Sequence, residues 1–222
     1  MSRTAYQKQL YELREAVLEM SDVVCGRLRR ALEAYETGDD ALAEAIIEGD
    51  SEINRLYLDL EGECIDLFAL QQPVAGDLRF IASSFKIITD LERVGDLAVN
   101  VAEYALEADD VAGDRYPEVD VGDIGAQTVE MVEAAMLAYA TDDVQATYEV
   151  AERDDEIDRR CERASRAVVY DLVEREATDE AVFEDVSRSL LTIRDLERVG
   201  DHAVNIVART LYMVDNNEEL IY

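Results

Sequence analysis

Tryptophan is absent from this chain of 222 residues, and proline occurs only twice. With ten glycines as well, the turn punctuation that a many-stranded β fold needs every ten residues or so is missing. No apolar run approaches the roughly 18 uncharged residues of a membrane span, and the start, MSRTAYQKQLYEL, has no signal-peptide core. A soluble, cytoplasmic protein, peripheral to a membrane at most, is the expectation. The cysteines are few, odd in number and far apart (Cys25, Cys64, Cys161), which argues against a disulfide framework or a thiolate zinc site. A single histidine, His202, leaves no Ser-His-Asp set to build, and no glycine-rich phosphate loop is present. An enzyme is not indicated.

What the chain does have is acid. Against 21 Lys and Arg stand 52 Asp and Glu, for a formal charge of −31, yet 49% of residues are hydrophobic. That apolar content excludes disorder, and the acidity excludes nucleic acid as a default partner. Lys8 and Lys86 are the only lysines; the other basic residues are arginine, and the acids are dispersed along the chain. Dispersed carboxylates of this density are read as a halophile's surface, solvated by acid and screened by salt.

Apolar residues recur at spacings of three and four almost throughout. One stripe runs Leu42, Ile46, Ile53, Tyr57, Leu60, Cys64, Leu67; another runs Leu78, Ile81, Phe85, Ile88, Gly95, Val99, Ala102, Leu106. Both keep a seven-residue period, as long helices packed at shallow angles do. The pattern predicts an all-α protein of six helices, roughly 5–37, 40–71, 75–109, 121–140, 142–176 and 179–214. Gly38 suits a helix C-terminus, and Asp39, Asp142 and Thr178 suit N-caps. The eleven residues Asp90 to Asn100 return 105 residues later as Asp195 to Asn205 with one difference, Leu97 against His202. Asp50 to Asn54 is echoed by Asp154 to Asp158, 104 residues on. Two tandem three-helix bundles follow, 1–112 and 113–222, with the segment around Pro117 as the hinge.

In four of these helices an acid interrupts the apolar stripe. Glu92 sits between Ile88 and Gly95, Glu197 between Ile193 and Gly200, Asp50 between Ile46 and Ile53, and Asp154 between Val150 and Ile157. Four residues on, one helical turn away, come Asp96, Asp201, Asn54 and Asp158. Acid pairs at this spacing arise about a dozen times by chance in so acidic a chain, so location and duplication carry the signal. Buried carboxylates without partners are costly. Three readings stay open: facing oxygen pairs hold hard cations such as Fe³⁺, Mn²⁺ or Mg²⁺, with Zn²⁺ possible; Arg93 and Arg198, or arginines of the first and fourth helices, neutralise the acids; or the face is simply solvated. Gly95 and Gly200, each costing about 1 kcal/mol against alanine in a helix interior, point to close approach of a helix or a ligand. His202 is read as a surface histidine, and the tyrosines Tyr57, Tyr104, Tyr148 and Tyr170 as packing. Asn100 and Asn205 either order ligands from behind or specify helix register.

The doubled Leu-Glu-Arg-Val-Gly-Asp-x-Ala-Val-Asn, the Gln71-to-Arg79 lead-in to the third helix, and the Asp50 and Asp154 segments resemble the PhoU family of phosphate-uptake regulators over essentially the whole chain. The resemblance implies paired three-helix bundles binding a multinuclear iron or zinc cluster, with manganese or magnesium as further options. Carried across, the implied ligands are Asp50, Glu92 and Asp96 in the first unit, with Asn54 departing from the acid of the pattern. In the second they are Asp154, Asp158, Glu197 and Asp201. The implied function is negative regulation of high-affinity phosphate import by a homodimeric adaptor. Its implied partners are the ATPase subunit of a phosphate ABC transporter and a phosphate-sensing histidine kinase or other regulator. A ferritin-like carboxylate-metal enzyme and a metal-free helical scaffold are the alternatives; the first wants Glu-x-x-His pairs that one histidine cannot supply.

Overall fold

The computed structural model describes residues 3–70, 74–108, 120–174 and 180–221. Among them the chain forms helices and no strand: α1 (Arg3–Thr37), α2 (Asp40–Glu48), α3 (Ser51–Leu70), α4 (Ala75–Leu106), α5 (Val121–Thr141), α6 (Val144–Glu174) and α7 (Glu180–Asp215). The six expected helical segments are all present, the second of them in two pieces. It breaks at Gly49, which caps α2, and at Asp50, because the buried Arg27 of α1 draws the Gly49 carbonyl to its Nη2 at 2.7 Å. The equivalent helix of the second unit, α6, has Arg153 where the first has Gly49 and runs unbroken.

Gly38 takes the left-handed conformation that ends α1, with φ 65°, and the Asp39 carboxylate then accepts the Leu42 N–H at 3.0 Å. Asp142 was expected as an N-cap but instead terminates α5 in the left-handed region, with φ 55°. Its neighbour Asp143 accepts the Ala146 N–H at 3.1 Å and caps α6. Thr178, the 112/113 boundary and the Pro117 hinge lie outside the described residues.

Two three-helix bundles, α1 with α2/α3 and α4, then α5 with α6 and α7, join through α4 against α7 and α1 against α5. The stripes mark the inner faces: Ile46, Ile53, Leu60, Cys64 and Leu67 are buried, as are Ile81, Ile88, Ala102, Ile193 and Val207. The stripe starts are the exception. Leu78 and Phe183, expected inside, stand at helix beginnings and are exposed, and Tyr170 is a surface residue rather than packing. The cysteines are buried and unpaired, and burial pushes each thiol up to about 12. No helix among the described residues is long and apolar enough to cross a membrane.

α4 and α7 run antiparallel. Ser83 Oγ donates to the Arg209 carbonyl at 3.0 Å, Asn205 Nδ2 to Asp90 Oδ1 at 3.2 Å, and Asn100 Nδ2 to Asp195 Oδ2 at 3.0 Å. Asp90 and Asp195 are duplicates of each other, as are Asn100 and Asn205. Each asparagine therefore bonds the other copy's aspartate, the reciprocity of a two-fold interface.

Candidate metal centre

The duplication places two acid groups, one per unit, and their surroundings differ. In the first unit Asp50 lies at the break between α2 and α3, where Arg27 reaches it. Arg27 Nη1 is 3.5 Å from the Asp50 carbonyl and 4.0 Å from its Oδ1, while Nη2 donates to Glu52 at 3.1 Å. Asn54 Nδ2 donates to Asp50 Oδ2 at 2.9 Å. On α4, Arg93 pairs with Asp96 at 3.2 Å and with Glu92 at 3.5 Å. Burial and then Asp96 raise the Glu92 carboxyl above its usual range, with Arg93 acting against them. The facing oxygens of this group are thus met by guanidinium and amide donors.

The second group has no such partners. Asp154 sits mid-helix in α6, facing Glu197 and Asp201 of α7, with Asp158 one turn on. No hydrogen bond or ion pair reaches the side chains of these four residues among those described, and Asp154 Oδ1 is buried without a donor. Burial, then Asp158, Asp201, Asp155 and Glu197, push Asp154 up to about 7. Burial raises Asp158 and Glu197 too, followed by their acidic neighbours. The inequality has a local cause. Met131 stands 104 residues after Arg27 and puts a thioether near Gly200 instead of a guanidinium. Arg198, the counterpart of Arg93, turns to Asp195 at 3.3 Å and leaves Glu197 and Asp201 alone.

The two stripe glycines differ in the same way. A Cβ on Gly95 would meet Ile53 Cδ1 at 2.9 Å, so this glycine admits a neighbouring helix. A Cβ on Gly200 would meet Asp154 Oδ1 at 2.9 Å, so this one admits a carboxylate. As a donor set, four carboxylates, one of them with an orphaned buried oxygen, suit a hard cation. Among the described residues no three His, Cys, Asp or Glu side chains already stand in an ion-holding arrangement. The second group would have to draw together to bind.

Asp195 was missed in the sequence, although its repetition at Asp90 was a visible signal. It is fully buried and accepts from Asn100, from the Tyr104 hydroxyl at 3.1 Å, and from Arg194 and Arg198 at 3.3 Å. Burial and then this carboxylate push the Tyr104 phenol up to about 12. His202, expected at the surface, is half-buried with Nδ1 2.9 Å from Asp90 Oδ1. Asn100 and Asn205 therefore set the register of the two units, and His202 serves the same seam. Arg27 is one of the first-helix arginines that the ion-pair reading offered as counter-charges; the spacing did not single it out, and its contrast with Met131 was the further signal.

The PhoU domain model matches the chain twice, over residues 17–105 and 121–210. The chain is 34% identical over 209 residues to the phosphate-specific transport system accessory protein PhoU homolog of Pseudomonas aeruginosa, covering 94% of this chain and 85% of the relative. The crystal structure of PhoU from Pseudomonas aeruginosa superposes with TM-score 0.87 at 33% identity, covering 96% of this chain and all of that one. That of the phosphate transport system regulatory protein PhoU from Streptococcus pneumoniae gives 0.87 at 26% identity, with 96% and 98% covered. Two matched copies of one domain, in two bundles of like fold, place this chain in the PhoU family.

Proposed function

We propose that the protein is an accessory regulator of phosphate transport, a helical adaptor whose docking on the phosphate transporter depends on a cation held by its second acid group. The family and its relatives' role in the phosphate-specific transport system support the setting. The observation that carries the cation reading is Asp154 Oδ1, buried without a donor among Asp158, Glu197 and Asp201. Ionised carboxylates in that arrangement repel one another and lose solvation. Asp154, Asp158, Glu197 and Asp201 would hold iron, zinc, manganese or magnesium, which supplies the missing positive charge. The first group, with Arg27, Arg93 and Asn54 already in place, would bind a cation more weakly. The role is electrostatic: a filled site changes the charge of one face and hence what docks there. Negative regulation of import through the transporter's ATPase subunit, with a histidine kinase or other regulator as the signalling partner, fits such an adaptor.

The test is genetic. In a strain lacking the protein, the wild-type chain should restore repression of phosphate uptake in phosphate-rich medium, and a Glu197→Ala, Asp201→Ala chain should not. Full repression by that double variant would remove the cation from the mechanism.

A further inference from the structure

The duplication also repeats a surface. Leu78 and Phe183, 105 residues apart near the starts of α4 and α7, are 45% and 49% exposed. Ile65 and Val169, 104 residues apart near the ends of α3 and α6, are 53% and 45% exposed. Single exposed apolar residues are ordinary on any protein. Here a pair recurs at corresponding places in halves that have otherwise diverged, at Arg27 against Met131 and Asn54 against Asp158. Acids adjoin these residues in both units: the exposed Asp66 and the half-buried Asp77 beside Ile65 and Leu78, and the exposed Glu180 and Glu184 around Phe183.

We infer that these two ends are equivalent docking sites for two identical copies of one partner element, an amphipathic helix with an apolar ridge flanked by Lys or Arg. A second copy of this chain is disfavoured as occupant, because a surface with 52 acids against 21 bases complements acid-rimmed sites poorly at contact range. A cationic-flanked ridge is attracted by the same acids that rim each apolar pair. The reciprocal Asn100–Asp195 and Asn205–Asp90 bonds make the halves two-fold related, with α4 antiparallel to α7. That pairing sets the two sites at opposite ends, about 33 residues of helix or roughly 50 Å apart along the axis. One rigid chain thus matches a homodimer whose two subunits each offer the helix, and simultaneous engagement multiplies affinity. Resting on the function proposed above, the partner assigned is the pair of ATPase subunits of the phosphate transporter.

The experiment is binding of the full chain to the detergent-solubilised transporter carrying both ATPase subunits, measured by surface plasmon resonance. Leu78→Glu and Phe183→Glu are each expected to weaken binding at least tenfold, and the double variant to abolish it. Helix content and melting temperature should stay at wild-type values. Leu58→Glu, which copies the exposed Glu162 found 104 residues on, should bind as wild type. Wild-type binding by the double variant, or loss through one end only, would overturn the inference and leave the function standing. So would a wild-type dimer in sedimentation that Leu78→Glu, Phe183→Glu converts to monomer. No binding by the wild-type chain would instead overturn the transporter reading, and this docking with it.

Discussion

With Asp154 pushed up to about 7 by burial and then by four neighbouring acids, its ionised form works against folding in the absence of a counter-cation. The native state holds the proton more tightly than the unfolded chain, so the stabilising contribution is fully present below about pH 4 and is lost as pH rises through about 7. In chelator-treated protein, the denaturant midpoint should therefore fall across that window, and Asp154→Asn should flatten the fall. An unchanged profile in that variant would mean that Asp154 is not the group responsible. The acids themselves were legible in the sequence, because each interrupts an apolar stripe at the same place in both copies. Their inequality was not. It depends on which way two arginines turn, Arg27 into the α2–α3 break and Arg198 toward Asp195, and spacing alone does not encode that choice.

At the scale of the helix, the glycines separate propensity from packing. Gly62, in α3, has open space where a Cβ would be placed, so Gly62→Ala should stabilise by about 1 kcal/mol through helix propensity alone. Gly125, in α5, would drive its Cβ into the Leu32 side chain, whose Cδ1 would lie at 2.8 Å and whose Cγ at 3.1 Å. There Gly125→Ala should destabilise by about 1–3 kcal/mol, overpacking outweighing the propensity gain. Equilibrium denaturation of the two variants checks both signs together. Helix extents were readable because α1, α3, α4, α6 and α7 are rich in good formers and poor in breakers. The α2–α3 break was not, since Gly49 and Asp50 interrupt the chain only where a buried guanidinium takes the freed carbonyls. Nor were the exposed ends at Leu78 and Phe183, which keep the stripe's period beyond the point where a facing helix covers it.

In the whole molecule, two features govern stability: the seam between α4 and α7, and the charge. Asn100→Leu removes one donor from the fully buried Asp195 and should cost about 1–3 kcal/mol. Asn205→Leu, acting on Asp90, whose side chain keeps 15% exposure and a second partner in His202, should cost less, and the difference can be read from paired melts. A net charge of −31 spread over the surface should make the melting temperature climb with KCl toward molar concentration, as screening relieves self-repulsion. High stability in dilute buffer would contradict the halophile reading. The duplication, the helical class and the family were all legible before the fold, because an eleven-residue repeat survives almost intact. The reciprocal seam was not, since Asp90 and Asp195 look like two more acids until their partners are seen. Elemental analysis of untagged protein, purified without chelators, decides whether the second acid group holds a cation. Bound iron, zinc or manganese should survive Glu92→Gln and disappear in Asp154→Asn, Glu197→Gln; undiminished metal in that double variant, or no metal in the wild type under any loading condition, would contradict it.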